Sequence, residues 1–436
     1  MKIKATLRFA AFFILFTIFS WSLCFGQTSS ETTSDTLQNE LNKLLRANAY
    51  PVRIQNGNLS GEGARWLSSE LQDVQFIAFG EVHNRRSVHK FGGALFRMLH
   101  DEHGFNYLAL EEDPYLGKLS SQAANRGGSE AMIKLSLRYP NAFHLLTEEE
   151  LEMIGDIGKL SKAKIDPIWG LNQVFGATHI YERLLQIAPD ANARTVVQKL
   201  LNTALEYEKE RFQKNISYMG AIAQPADFEE LKKAFKARLG SEADWLIEQL
   251  ALSNSIYRNY NIKPRPAPIV FHEGNQKREN NMKRLFAERY RKAQAAGDKL
   301  PKVMAMFGHL HLYRGLSEQT DLFTLGNYLS ELAIFNGKKS FGIYSAVDLP
   351  SFRQTWQGEI IQAIENAGEK TDDGVIVDLR PLKTLAITRN PESAKLNPSL
   401  RRLIFGFDVF LFLRDGVSGS REKLKTPNFR MYPDEN

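Results

Sequence analysis

From residue 74 onward, short apolar runs alternate with amphipathic stretches of helical length, and no other feature constrains the fold as tightly. Residues 74–79 (Val-Gln-Phe-Ile-Ala-Phe) read as a strand buried on both faces, 88–103 as a helix, 107–110 as a strand and 167–170 as a short strand. The pattern returns with a charged helix over 275–295 and strands over 302–307, 339–346, 374–378 and 409–413. This alternation predicts an α/β fold with a mainly parallel central sheet flanked by helices. Residues 187–260 lack a strand candidate, and Gln224-Pro225-Ala226-Asp227 supplies a turn and a helix cap, so this stretch is expected to be an all-helical insertion of at least three helices, a candidate lid. The expected plan is a discontinuous α/β domain over 41–186 and 261–418, the insertion at 187–260, and a loose polar tail at 419–436.

Lys2, Lys4 and Arg8 precede an uncharged apolar run over residues 9–25, the pattern of a secretory signal peptide. Small residues near Cys24 and Gly26 predict cleavage before Gln27, with an uncleaved anchor as the alternative, and the Ser/Thr-rich stretch that follows reads as a linker over 27–40. A secreted or periplasmic protein is expected. Leu23 stands where lipid modification wants a small residue, which argues against a lipidated Cys24. Cys24 is the only cysteine, so the mature chain has no disulfide, no thiolate nucleophile and no cysteine-based zinc site. The formal charge of +6 falls to about +3 without the three leader cations, and the remaining Lys and Arg are interspersed with acids. That pattern argues against nucleic acid. Nothing after residue 25 is long and apolar enough to span a membrane, so no membrane contact is expected after signal cleavage; the expected partner is a small-molecule substrate or ligand.

Chemistry concentrates at the ends of the predicted strands. In an open α/β sheet, ligands bind outside the carboxyl ends of the strands. The string Phe79-Gly80-Glu81-Val82-His83-Asn84 puts a carboxylate and an imidazole there, with Gly80 expected to turn the chain out of the sheet and His89 six residues beyond His83. Glu111, Glu112 and Asp113 follow the next strand, which Pro114 stops. Arg278 and Asn281 lie about one helical turn apart, and Gly308-His309-Leu310-His311 follows a further strand.

A histidine neutral near pH 7 can take a proton from water while a carboxylate holds its other nitrogen. His83 is the candidate base, oriented by Glu81 or Glu112, and Arg278 with His311 could stabilise an oxyanion. With no G-x-S-x-G elbow and no mature cysteine, direct attack by water is favoured over a covalent intermediate. Adjacent residues on a strand face opposite ways, so only one of Glu111 and Glu112 can enter the site; His309 and His311 divide similarly. Asn84, His89, Asn281 and His309 are the candidate substrate contacts. The bland alternatives are a structural His89 and an Arg278 paired on the surface with Glu273 or Glu279. His100 and His103, at a helix end where cations complement the dipole, read as structural.

These blocks, in this order, resemble the erythromycin-esterase/ChaN-like superfamily, which also takes in TIKI-type proteases. The likeness runs from about Phe76 to Asp408: G-E-x-H at the first strand end, G-F-x-Y-L-A-L-E ending at Glu111, R-E-x-x-M over 278–282, G-x-x-H over 308–311, L-G-N-Y-L over 325–329, then S-F-G-I-Y and G-F-D. It implies a hydrolase acting on an ester or lactone. The alternatives are a ChaN-like haem- or ligand-binding protein without turnover, or a TIKI-like metalloprotease. By alignment the family's acid falls on Glu111, a one-residue shift selecting Glu112, and its histidine on His311. The single residue between Glu81 and His83 is closer to the ChaN branch, whereas L-G-N-Y-L, G-F-D and the insertion are closer to the esterases, so macrolide is not implied as the substrate. No metal or other cofactor is expected. A divalent metal on His83, His311, Glu81 and Glu112, or haem, is the alternative, without H-E-x-x-H support.

Overall fold

The computed structural model describes residues 35–143, 146–209, 217–261 and 267–424. The expected signal peptide, the expected linker up to residue 34 and the chain beyond residue 424 lie outside the described residues.

Nine strands form one sheet in the order β2-β1-β8-β9-β7-β3-β6-β4-β5. The strands are β1 (Ala49–Gln55), β2 (Asn58–Ser60), β3 (Val74–Glu81), β4 (Tyr107–Leu110), β5 (Ile168–Gly170), β6 (Val303–Gly308), β7 (Lys339–Val347), β8 (Gly374–Asp378) and β9 (Val409–Leu413). From β9 to β5 every pairing is parallel, while β8 and the β1–β2 hairpin are added antiparallel. The architecture is thus α/β with a mainly parallel sheet.

The helices that matter below are α1 (Asp35–Ala47), α2 (Glu62–Glu70), α3 (Arg86–His103), α4 (Pro114–Arg138), α5 (Glu148–Leu160), α6 (Thr178–Gln186), α7 (Ala191–Lys209), α8 (Tyr218–Ala221), α9 (Pro225–Phe235), α10 (Glu242–Asn261), α11 (Pro268–Ala295) and α12 (Leu325–Phe335). Strand β3 is buried over its whole length because its alternate side chains feed two cores. Phe76 and Ala78 pack with Phe286 and Tyr290 of α11 and Leu329 of α12, whereas Ile77 and Phe79 pack with Phe91 and Leu95 of α3. Each such phenylalanine contributes about 1.5–3 kcal/mol by leaving water. Helices α6 to α10 gather around a third core that includes Leu184, Val197, Phe228 and Leu250, joined by Tyr115 of α4. Pro225 starts α9 behind a capping box of Gln224 and Asp227.

Several local expectations are corrected. Strand β3 runs on through Gly80 to Glu81, so Gly80 does not turn the chain. A side chain at Gly80 would meet the His309 ring, its added Cβ falling 2.9 Å from Cδ2, so the glycine serves close approach. The turn lies at Asn84, whose φ is 58°, and Asn84's carbonyl accepts from Gly419 N at 2.8 Å. Residues 35–40 are not linker: they open α1, whose Leu37, Leu41 and Leu45 are buried at helical spacing. The start of the tail is docked, with Ser420 N donating to Glu149 Oε2 at 2.8 Å and Leu424 buried. The hairpin at 49–60 had no reading from sequence, its alternation being short and interrupted by Pro51.

Candidate functional site

Strands β4 and β5 lie on one side of β3 and strands β7 and β9 on the other, with β6 inserted between β3 and β4. The direction of winding therefore reverses around β3, and the crevice at such a reversal is where α/β sheets hold ligands. The carboxyl ends of β3, β4 and β6 each deliver polar residues to it.

At the end of β3, buried Glu81 uses both carboxylate oxygens. His83 Nδ1 donates to Oε1 at 3.1 Å, and His89 Nε2, from the first turn of α3, lies 3.5 Å from Oε2. His83 keeps 37% of its side chain exposed, whereas that of His89 is fully buried. His83 Nε2 is turned toward Glu111 Oε2 at 3.9 Å, an ion-pair distance rather than a hydrogen bond. Gly308 makes this approach possible: a Cβ there would sit 3.0 Å from His83 Nε2.

Beyond β4, Glu111 is held from three directions. Arg278 Nη2 donates to its Oε1 at 2.5 Å, the backbone N–H of Gly308 donates to Oε2 at 3.0 Å, and His311 Nε2 lies 3.7 Å from Oε1. Arg278 is aimed by Asn172, whose Oδ1 accepts from Nε at 3.0 Å. Asn172 follows β5 and is itself pinned by Glu111 O and Glu112 O. Behind Glu111, His311 Nδ1 is hydrogen-bonded to Glu279 Oε1, and the second Glu279 oxygen accepts from Leu325 N at the start of α12. His309 takes a different direction, with Nε2 donating to Ser345 O at 2.7 Å and its ring stacked on Tyr344 at 3.9 Å between centroids.

The electrostatics follow from these partners. Burial would raise the Glu81 carboxyl, but the His83 hydrogen bond and the nearby His89 ring prevail and hold it down at about 2. Burial would lower His83, but the Glu81 hydrogen bond and the charges of Glu111 and Glu81 push it up to about 9. This corrects the expectation of a histidine neutral near pH 7: between two carboxylates the resident form is the imidazolium. His309 is the opposite case, driven down to about 4 by burial, which outweighs the Ser345 carbonyl and the Glu81 charge. A second buried acid group lies behind the site. Burial pushes Glu150 up to about 7 and Glu112 well above the usual carboxylate range.

Of the residues expected from sequence, Glu81, His83, Glu111, Arg278 and His311 come together. Glu112 does not join them. It points to the other face, with Oε2 3.5 Å from Ser120 Oγ and Oε1 buried without a hydrogen-bond partner among the described residues. His89 is sealed behind Glu81, and Asn281 is buried and accepts from Arg284 at 2.8 Å, so neither is placed as a substrate contact. Asn84 serves the turn, and its side-chain Oδ1 is buried without a hydrogen-bond partner among the described residues. His309 is tied to the β7 end. Arg278 pairs across the site with Glu111. Sequence reasoning missed Asn172 and the role of Glu279. The signals were present: Asn172 lies two residues beyond a strand end, and Glu279 is the second residue of R-E-x-x-M.

By sequence, no protein-family model and no curated protein matches the chain. By structure, a mutant of the erythromycin esterase EreC in its open conformation superposes with a TM-score of 0.56 at 13% identity, covering 85% of this chain and 98% of that one. The fold is that of the erythromycin esterases. A succinoglycan biosynthesis protein shares it, with a TM-score of 0.55 at 17% identity over 88% of this chain and 99% of that one. The haem-binding ChaN of Campylobacter jejuni aligns at a TM-score of only 0.28 with 12% identity, covering 69% of this chain and 92% of that one, too loose a fit to carry an argument.

Within this erythromycin-esterase-like fold, Glu81, His83 and Glu111 each offer a ligand atom within 4.8 Å of one another, enough to consider a divalent cation. As arranged, His83 lies between the two carboxylates and Arg278 pairs with the remaining Glu111 oxygen.

Proposed function

We propose that the chain is a hydrolase of the erythromycin-esterase kind, in which His83 activates water against an ester or lactone. The supporting observation is the convergence of Glu81, His83, Glu111 and Arg278 at the strand ends. Glu81 accepts from Nδ1 and thereby makes Nε2 the basic nitrogen once the ring is neutral. In the proposed step, Nε2 takes a proton from water as the water oxygen attacks the carbonyl carbon. Arg278, with its guanidinium at the site, stabilises the oxyanion that forms. When the tetrahedral intermediate collapses, the imidazolium returns the proton to the leaving oxygen, yielding a carboxylic acid and an alcohol. Because the free-site His83 sits up at about 9, kcat/KM should rise with pH toward that value as the ring sheds its proton.

The test is turnover of a panel of esters and lactones by the purified mature chain, with and without chelator. Activity that survives chelator and falls roughly 10²–10⁴-fold in His83→Ala supports the reading. Chelator-sensitive activity would replace it with a metal mechanism of the metalloprotease type, and a Soret band on haem titration without any turnover would replace it with a binding protein. We also propose, on the leader alone, that the protein works outside the cytoplasm as a secreted or periplasmic enzyme; fractionation of cells carrying a C-terminally tagged chain tests this. Among the described residues no helix is long and apolar enough to cross a membrane, and a small-molecule substrate is the proposed partner.

A further inference from the structure

We propose that His89 is a positioning residue for His83, acting through Glu81; the inference rests on the hydrolase reading above. A lone carboxylate–imidazole pair leaves the carboxylate a rotation about its terminal bond, and the base would swing with it. Glu81 has a second histidine against its other oxygen, at 3.5 Å, an ion-pair contact rather than a hydrogen bond, whose packing and charge oppose that rotation. His89 is sealed from solvent, so it has no route to a substrate.

The second ring nitrogen of His89 is fixed as well. Its Nδ1 meets Thr147 Oγ1 at 3.2 Å, and the same hydroxyl oxygen accepts from Glu150 N at 3.2 Å as the N-cap of α5. The start of α5 is held in turn by the chain's C-terminal segment, where Lys423 N donates to Glu148 Oε1 at 2.7 Å. That segment also grips the His83 loop from outside: Gly419 N bonds Asn84 O, Arg86 pairs with Asp415 at 2.7 Å, and Ser87 Oγ donates to Asp415 O at 2.5 Å. Glu81 is therefore clamped between an exposed ring that meets water and a buried ring referenced to two helices. A histidine that merely joined α3 to α5 would have no need of the carboxylate that orients the base.

The experiment compares His89→Ala, His89→Gln, Thr147→Val and Thr147→Ser with wild type, reading kcat and KM on p-nitrophenyl acetate, the thermal midpoint, and the Glu81–His83 contact in crystals. His89→Ala should lower kcat by about a hundredfold with KM nearly unchanged, and the Glu81–His83 contact should open. His89→Gln keeps an N–H for Glu81 and should recover most of the loss. Thr147→Val should show a smaller fall in kcat that Thr147→Ser reverses, which carries the test if His89→Ala does not fold. Wild-type kcat in a folded His89→Ala, or a loss of thermal midpoint alone, would overturn the proposal. If wild type turns over no ester, the hydrolase reading fails and the crystal contact decides this inference by itself: a contact kept in His89→Ala overturns it, and an open one supports it.

Discussion

Glu111 and Glu112 are neighbours in sequence, almost equally buried, and opposite in surroundings. Glu111 faces the crevice, where Arg278, the Gly308 amide and two histidines surround it. Glu112 faces the packing between sheet and helices, with Ser120 at 3.5 Å and the acids Glu150 and Asp113 nearby. The first is an anchor for charge, and the second is driven toward its neutral form. Burial is nearly the same for both, so the supply of cations and oriented N–H groups decides which one is built for chemistry.

The contrast can be broken most severely at Glu111. Glu111→Gln leaves Arg278 and His83 without their shared counter-charge, and ester turnover should fall roughly a hundredfold or more. Stability should fall by about 3 kcal/mol in urea titration, because Arg278 is only 13% exposed. A wild-type rate in this variant would remove Glu111 from the site. Next in size, Gly308→Ala places a Cβ 3.0 Å from His83 Nε2 and should displace the ring by a few tenths of an ångström. Turnover should drop about tenfold with little change in melting temperature.

Glu112→Gln sharpens the comparison from the other side. An acid whose folded pKa is raised releases its proton more readily in the unfolded chain, so it disfavours folding at every pH above its ordinary 4.5. The amide variant should therefore be more stable than wild type at pH 7, by on the order of 1 kcal/mol, and should lose that advantage at pH 4. Equal stability gains at both pH values would show that Glu112 is not held neutral. The smallest effect is that of His83 itself. Its pKa is raised from 6.5 to about 9, so the stability it contributes is complete below 6.5 and is lost as pH rises through 9. Exposure of 37% of the side chain keeps the change small, and it should disappear in His83→Ala.

Much of this arrangement was legible in the chain because strands write their position in a short apolar run. Val74, Tyr107 and Gly374 begin strands where the pattern starts, and residues at or just past the ends of β3, β4 and β6 are among those that meet. What was not legible depends on contacts between segments far apart. The imidazolium state of His83 needs Glu111, and the aim of Arg278 needs Asn172, 106 residues earlier. The docking of Ser420 on Glu149 spans 271 residues and leaves no periodicity to read. Likewise α1 was hidden because its three buried leucines, Leu37, Leu41 and Leu45, begin inside a Ser/Thr-rich stretch that looks like linker.

The sequence by itself determined the alternation of strands and helices, the presence of Glu81 and His83 at a strand end, and the absence of any thiol after Cys24. These are local properties: apolar period, turn residues and residue type. Only the tertiary structure decided that Glu111 and not Glu112 enters the site, that His89 stands behind Glu81 and not before a substrate, and that His83 carries a charge. Each of those depends on which face of a strand turns toward the crevice and which charges gather there from distant segments. Electrostatic energies in a buried site are set by distances across the fold, and spacing along the chain does not encode them.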